Sequence, residues 1–154
     1  MGKAVVLRTA WVYSVHGNNF VKTMLRLMAE RDELKIVADQ IGTPTWAKEL
    51  ARAIWFIADN TDMQGIYHWT DDGVTNWYEF AVAIQEEAHE LGLLQRIIPV
   101  KPITTEEYPT PAKRPPYSVL DKSSSCAALG CTLSHWRNSL KKMLIEYKGL
   151  RGKD

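Results

Sequence analysis

The feature that most constrains this chain is an alternation of short apolar runs with amphipathic stretches of helical period. The opening segment Lys3–Tyr13 has a short continuous apolar run rich in Val (Val5, Val6, Leu7), which suits a strand buried on both faces of a parallel sheet. After a loop at Ser14–Asn19, Asn18 or Asn19 caps a predicted helix that carries Phe20, Met24, Leu27 and Met28 on one face. Leu34–Asp39 reads as a second strand. The turn Gln40–Thr45 follows, with Thr45 as the expected N-cap of a helix from Trp46 to about Asp59. Gly65–Thr70 predicts another strand, and Asn76 with Glu79 predicts a capped helix closed at Gly92. The order strand, helix, strand, helix, strand, helix and then mostly helix predicts an α/β fold with few strands for its length.

The rest of the chain is punctuated by proline. Ile97–Ile103 contains two prolines and suits an edge or isolated strand. Pro109–Pro116 cannot be regular helix and is either a linker or a binding loop. A short helix near Lys122–Leu129 should stop at Gly130. A last helix from Ser134 to about Tyr147 carries the stripe Trp136, Leu140, Met143, Leu144 and Tyr147.

Composition narrows the function classes. The 154 residues are 45% hydrophobic and 24% charged, which fits one globular domain. Nineteen basic residues against 18 acidic ones give a net charge of +1, so nothing calls for a nucleic-acid partner. No apolar run reaches the roughly 18 residues of a membrane span, and the expectation is a soluble cytoplasmic protein. Cys126 and Cys131 are too few and wrongly spaced for a disulfide framework or zinc knuckle, and read as reduced thiols near a helix end. Glu86, Glu87 and Glu90 around His89 read as a solvated helix face. Six Trp leave room for one to line a site, because an indole offers an apolar face with one donor.

Several chemistries are missing from the sequence. It contains no G-x-G-x-x-G turn, no Walker A loop and no Tyr followed four residues later by Lys. No metal-ligand cluster or activated nucleophile can be read. We therefore expect no catalytic, cofactor-binding or metal-binding residue within these residues.

Six segments in order carry a positive signal: Arg8-Thr-Ala-Trp-Val-Tyr13, Gly17-Asn-Asn-Phe-Val-Lys-Thr-Met-Leu25, Asp39-Gln-Ile-Gly-Thr-Pro-Thr45, Gly65-Ile-Tyr-His-Trp69, Trp77-Tyr-Glu-Phe-Ala81 and Ala112-Lys-Arg-Pro-Pro-Tyr-Ser-Val-Leu-Asp121. Together they resemble the C-terminal, substrate-binding half of dTDP-4-dehydrorhamnose reductase, an extended short-chain dehydrogenase/reductase. The resemblance spans residues 1–154 as a single domain. It implies a truncated Rossmann-type remnant with a mostly helical substrate-binding lobe. Ala10 and Asn76 stand where the family commonly has Ser.

The family's other half carries the NADPH or NADH site and the Tyr/Lys pair, so the resemblance implies no cofactor in this chain and no catalysis by it alone. It implies a dTDP-sugar ligand, with Trp11 against the sugar unless that indole is merely core. Asn19 then touches sugar or diphosphate unless it only caps a helix, and Arg114 holds phosphate unless it forms a surface ion pair. Gln40 and Thr43 are expected to shape the pocket. Two other roles stay open: a protein-binding or regulatory subunit, and a half-enzyme completed in trans by a Rossmann chain. In the family, the strand matching Val5–Thr9 lies between a strand of the other half and the strand matching Ile66–Trp69. An edge exposed there is expected to pair two copies into a homodimer through Val5–Trp11.

Overall fold

The computed structural model describes residues 4–112 and 114–152. Lys3, at the head of the expected first strand, and Lys113, inside the proline-rich stretch, lie outside the described residues. The order is β1 (Val5–Arg8), β2 (Val12–Tyr13), α1 (Phe20–Glu30), β3 (Leu34–Val37), β4 (Ile41–Gly42), β5 (Thr45–Trp46), α2 (Ala47–Asp59), β6 (Gly65–His68), β7 (Thr75–Asn76), α3 (Trp77–Glu90), β8 (Val100–Ile103), α4 (Ser123–Leu129) and α5 (Trp136–Arg151). The fold is mixed α/β built on short strand pairs.

Three of the four pairs are parallel: β1 with β6, β2 with β5, and β3 with β8. Only β4 and β7 run antiparallel. The pairing of β1 with β6 is the neighbour relation that the family resemblance implied. Residues Val5 to Arg8 face Gly65 to His68 in order. Strand β1 departs from the two-sided burial expected of its Val run. Leu7 packs inward, whereas Val6 and its register partner Ile66 are half exposed.

Two cores result. The larger lies among α1, α3 and α5, where Val21, Met24, Met28, Phe80, Ile84, Leu140, Met143 and Leu144 are fully or almost fully buried. The stripe read on the last helix is the α5 face of this core. A smaller cluster of Ala53, Trp69 and Leu129 joins α2 and α4 beneath β6, with Leu7, Leu50 and Ile57 packed around it.

Two local expectations change. Thr45 does not cap α2, because it lies in β5 with its hydroxyl donating to the Ala10 carbonyl at 2.6 Å. The buried Asp71 serves that helix end instead, its Oδ2 accepting the Trp46 N–H at 3.2 Å. The acidic face of α3 is not uniformly solvated either. Glu87 is buried and is bridged to Arg137 at 3.1 Å and Lys141 at 3.2 Å, so it ties α3 to α5. A like-signed cluster is stable there because the facing helix brings cations to it.

Candidate functional site

The site is built around Trp11, at the connection between β1 and β2. Its φ is +50°, the one positive value at a non-glycine position among the described residues. An L-residue in that region is disfavoured by roughly 1–2 kcal/mol, so the surroundings must compensate. They do so with packing. The Trp11 indole stacks on Trp77 with centroids 3.6 Å apart and planes 9° from parallel. Gly42 makes the space, since a Cβ there would lie 2.6 Å from the Trp11 ring and 2.7 Å from the Ser118 hydroxyl. The glycine of the Asp39–Thr45 turn is thus required by close approach of an indole.

Trp77 extends the stack inward. Phe20 tilts against it at 4.7 Å, and Phe20 then meets Phe80 at 5.6 Å in the main core. Trp77 stands at the start of α3, immediately after Asn76, whose side chain accepts the Glu79 N–H at 2.8 Å. The half-buried Trp11 is therefore the outermost ring of an aromatic ladder anchored in the core. Its exposed part is a rigid apolar surface suited to the C–H face of a sugar.

The remaining singled-out residues surround this ladder. Gln40 donates from Nε2 to Thr105 Oγ1 at 3.0 Å and accepts the Trp77 Nε1–H at 3.2 Å, so it fixes the indole orientation. Thr43 is fully buried and donates to the Gly73 carbonyl at 2.7 Å. Asn19 caps α1, accepting the Lys22 N–H at 3.2 Å and donating to the Ser14 carbonyl at 2.7 Å. One lone pair of its carboxamide oxygen remains for another donor.

Arg114 is exposed and makes no ion pair among the described residues. Its loop is nonetheless tied to the ladder. The Ile41 N–H donates to the Pro116 carbonyl, and the Ser118 N–H donates to the Ile41 carbonyl, both at 2.8 Å. Residues 116–118, at the end of the proline-rich stretch, are thus a strap laid along β4. Trp11, Trp77, Gln40 and the strap form one patch, with Arg114 two residues from an anchor point.

Three contributors stood in the matched segments without an assigned role: Trp77, Ser118 and Tyr117, the last of these 62% exposed on the strap. An aromatic residue directly after a capping Asn was the available signal for Trp77. Asp71 escaped notice. Burial pushes its carboxyl up to about 7, against the lowering effect of the Trp46 N–H. The buried Tyr13 hydroxyl lies close by, raised by burial and by Asp71.

Among the described residues, no strand-to-helix connection carries more than one glycine. Gly73, between β6 and β7, is backed by His135, 2.5 Å from where a Cβ would sit. Neither point provides the glycine turn that brings backbone N–H groups onto a pyrophosphate.

Comparison with known proteins identifies the family. Residues 1–148 match the family described as the RmlD substrate binding domain. The chain is 44% identical over 146 residues to dTDP-4-dehydrorhamnose reductase of Aggregatibacter actinomycetemcomitans, covering 92% of this chain and 50% of that protein. It is 44% identical to the spore coat polysaccharide biosynthesis protein SpsK of Bacillus subtilis, covering 93% of this chain and 47% of that one. A crystal structure of a dTDP-4-dehydrorhamnose reductase from Clostridium acetobutylicum superposes with a TM-score of 0.84 at 42% identity, over 94% of this chain and 49% of that chain. The UDP-glucose 4-epimerase of Thermotoga maritima, at 16% identity and a TM-score of 0.67, shares the fold alone. The chain spans about half the length of the curated relatives it matches. By sequence and by fold, it belongs to the RmlD substrate binding domain family.

Proposed function

We propose that this chain is the nucleotide-sugar-binding half of a dTDP-4-dehydrorhamnose reductase-like protein and does not transfer hydride by itself. The observation that carries this reading is the Trp11–Trp77 stack at the edge of the core, with the anchored strap beside it. A stacked indole fixed by Gln40 offers a preorganised face for a deoxysugar. Arg114, two residues before the strap in a proline-bounded loop, offers a planar fork for diphosphate. Asn19 contributes at most one acceptor, and Gln40 and Thr43 act by holding the pocket wall. The reduction of a 4-keto sugar requires hydride from NAD(P)H and a proton donor, and this reading assigns both to the other half of the full-length relatives.

Titration calorimetry with dTDP and dTDP-rhamnose tests the assignment. Arg114→Ala should weaken both ligands, and dTDP more than Trp11→Ala does, because only the guanidinium faces phosphate. Trp11→Ala should selectively weaken the sugar-bearing ligand. Binding of neither ligand to the folded chain, or equal losses for both ligands in both variants, would defeat it.

A second reading concerns partners, and the exposure of Val6 and Ile66 on the outer face of the β1–β6 pair favours it. Strand β1 has a neighbour on one side only among the described residues. An unpaired apolar strand edge is a template for another strand. In this reading two copies pair through Val5–Trp11, and light scattering should report twice the 17.5 kDa chain mass. A monomer that gains reductase activity when mixed with a Rossmann chain would favour completion in trans instead.

A further inference from the structure

Helix α4 ends in a way that brings Cys126, in its last turn, and Cys131, just past its stop, together. Gly130 adopts a left-handed conformation with φ of +58°, and its N–H donates to the Cys126 carbonyl. The next N–H, that of Cys131, turns back to the same carbonyl at 3.3 Å. This six-to-one closure is the arrangement in which the side chains flanking a glycine stop meet over the last turn. Both thiols are free and half buried. A disulfide accepts Cα atoms about 4.4–6.8 Å apart, and here the Cys131 N–H closes on the Cys126 carbonyl oxygen at 3.3 Å. Burial and the neighbouring Cys126 thiol also hold the Cys131 thiol above its ordinary range.

We propose that Cys126 and Cys131 form a reversible intramolecular disulfide that locks the end of α4, with a low-molecular-weight disulfide as oxidant. The Cys126 thiolate attacks one sulfur of that disulfide and expels a thiolate, leaving a mixed disulfide on Cys126. The Cys131 thiolate then attacks the Cys126 sulfur and expels the second thiolate. Two protein thiols and one small disulfide become one protein disulfide and two small thiols. The lock acts where α2 and α4 meet. Cys131 packs against the cluster of Ala53, Trp69 and Leu129, and it lines a cleft of about 240 Å³ with Arg52, Phe56 and Leu133.

The test equilibrates the folded chain in reduced and oxidised glutathione, followed by acid quench, alkylation and mass measurement. Both thiols should disappear together at one midpoint, with loss of two hydrogen masses and no dimer. Trp69 fluorescence should fall in step, because a disulfide quenches a nearby indole, and the change should vanish in Trp69→Phe. Cys126→Ser and Cys131→Ser should each accumulate the glutathione adduct instead. Gly130→Ala, which keeps both thiols but disfavours the left-handed stop, should need a more oxidising ratio to reach the same midpoint. Stable glutathione adducts on wild type, separate midpoints for the two thiols, or a linkage that forms only after denaturation would overturn the proposal. The mass readout on wild type decides the matter even where a substitution prevents folding.

Discussion

The two cores of this molecule are built to different standards. Between α1, α3 and α5 the apolar faces close completely, and the Gln85 side chain even satisfies the Ile98 backbone in both directions at 3.0 Å. Around α2, α4 and the β1–β6 pair the same kinds of residue are left open. Helix α2 buries Ala53 alone, while Ile54, Trp55 and Phe56 stand 51%, 71% and 42% exposed. One side of the molecule is therefore closely packed, and the other leaves large apolar side chains in water.

The sharpest way to break this comparison is to remove equal-sized groups from each side. Phe80, 1% exposed and in contact with Phe20, Tyr13 and Trp136, should cost about 3–5 kcal/mol as Phe80→Ala. Phe56→Ala on α2 should cost well under about 1 kcal/mol, since its side chain already meets water. Urea unfolding of both variants measures the difference. Comparable losses would mean that the open side is packed as tightly as the closed one.

Asp71 sharpens the comparison at the seam between the two regions, with an expected effect on the order of 2–4 kcal/mol. Burial raises its carboxyl from 3.8 to about 7, so between those values the folded chain binds a proton that the unfolded chain does not. Stability from this group is therefore fully present below about pH 4 and is lost as pH rises through 7. Asp71→Asn keeps an acceptor for the Trp46 N–H and removes the ionisation. It should raise Tm at pH 8 and flatten the pH dependence between 5 and 8. A variant less stable than wild type at pH 8 would show that the ionised carboxylate is needed there.

How far the sequence could be read follows from the same contrast. Helices α1, α3 and α5 were legible because their apolar residues repeat at helical spacing and their ends carry local signals, Asn19 and Asn76 being true caps. The two-residue strands β4, β5 and β7 were not, since nothing local distinguishes such a strand from a turn, and β2 was read in one segment with β1, without the break between them. Thr45 shows why: its pattern is that of a cap, and only the approach of Ala10, 35 residues earlier, makes it a strand residue. Glu87 is similar, because its acidic neighbours imply solvent until Arg137 and Lys141 arrive from α5. At the candidate site Trp11 and Gly42 stood in the motifs. The stacking of Trp77 on Trp11 needed the fold to join the start of α3 to the β1–β2 connection.

A smaller effect probes the stack itself. Aromatic pairs contribute about 0.5–1.5 kcal/mol beyond the area they bury. A double-mutant cycle of Trp11→Ala and Trp77→Ala should return a coupling of that size, and each single variant should lose the same near-ultraviolet circular dichroism signal. Additive effects would mean that the two indoles do not stack in solution and that the exposed indole face is not preorganised.

The smallest expected effect on folding comes with the largest on association. Val6 is 50% exposed on β1, on the face it shares with Ile66, so Val6→Lys should change the stability of an isolated chain by no more than about 0.5 kcal/mol. A lysine on an edge strand is, however, one of the devices by which proteins prevent strand pairing between molecules. If two copies pair through Val5–Trp11, the substitution places two cations near the twofold axis and desolvates both. The dimer should then give way to monomer at micromolar concentration. Sedimentation or light scattering reads the association, and urea unfolding below the dissociation range reads the folding. Loss of folding stability by several kcal/mol would mean that Val6 is covered within one chain. That result would erase the difference between the two sides of the molecule.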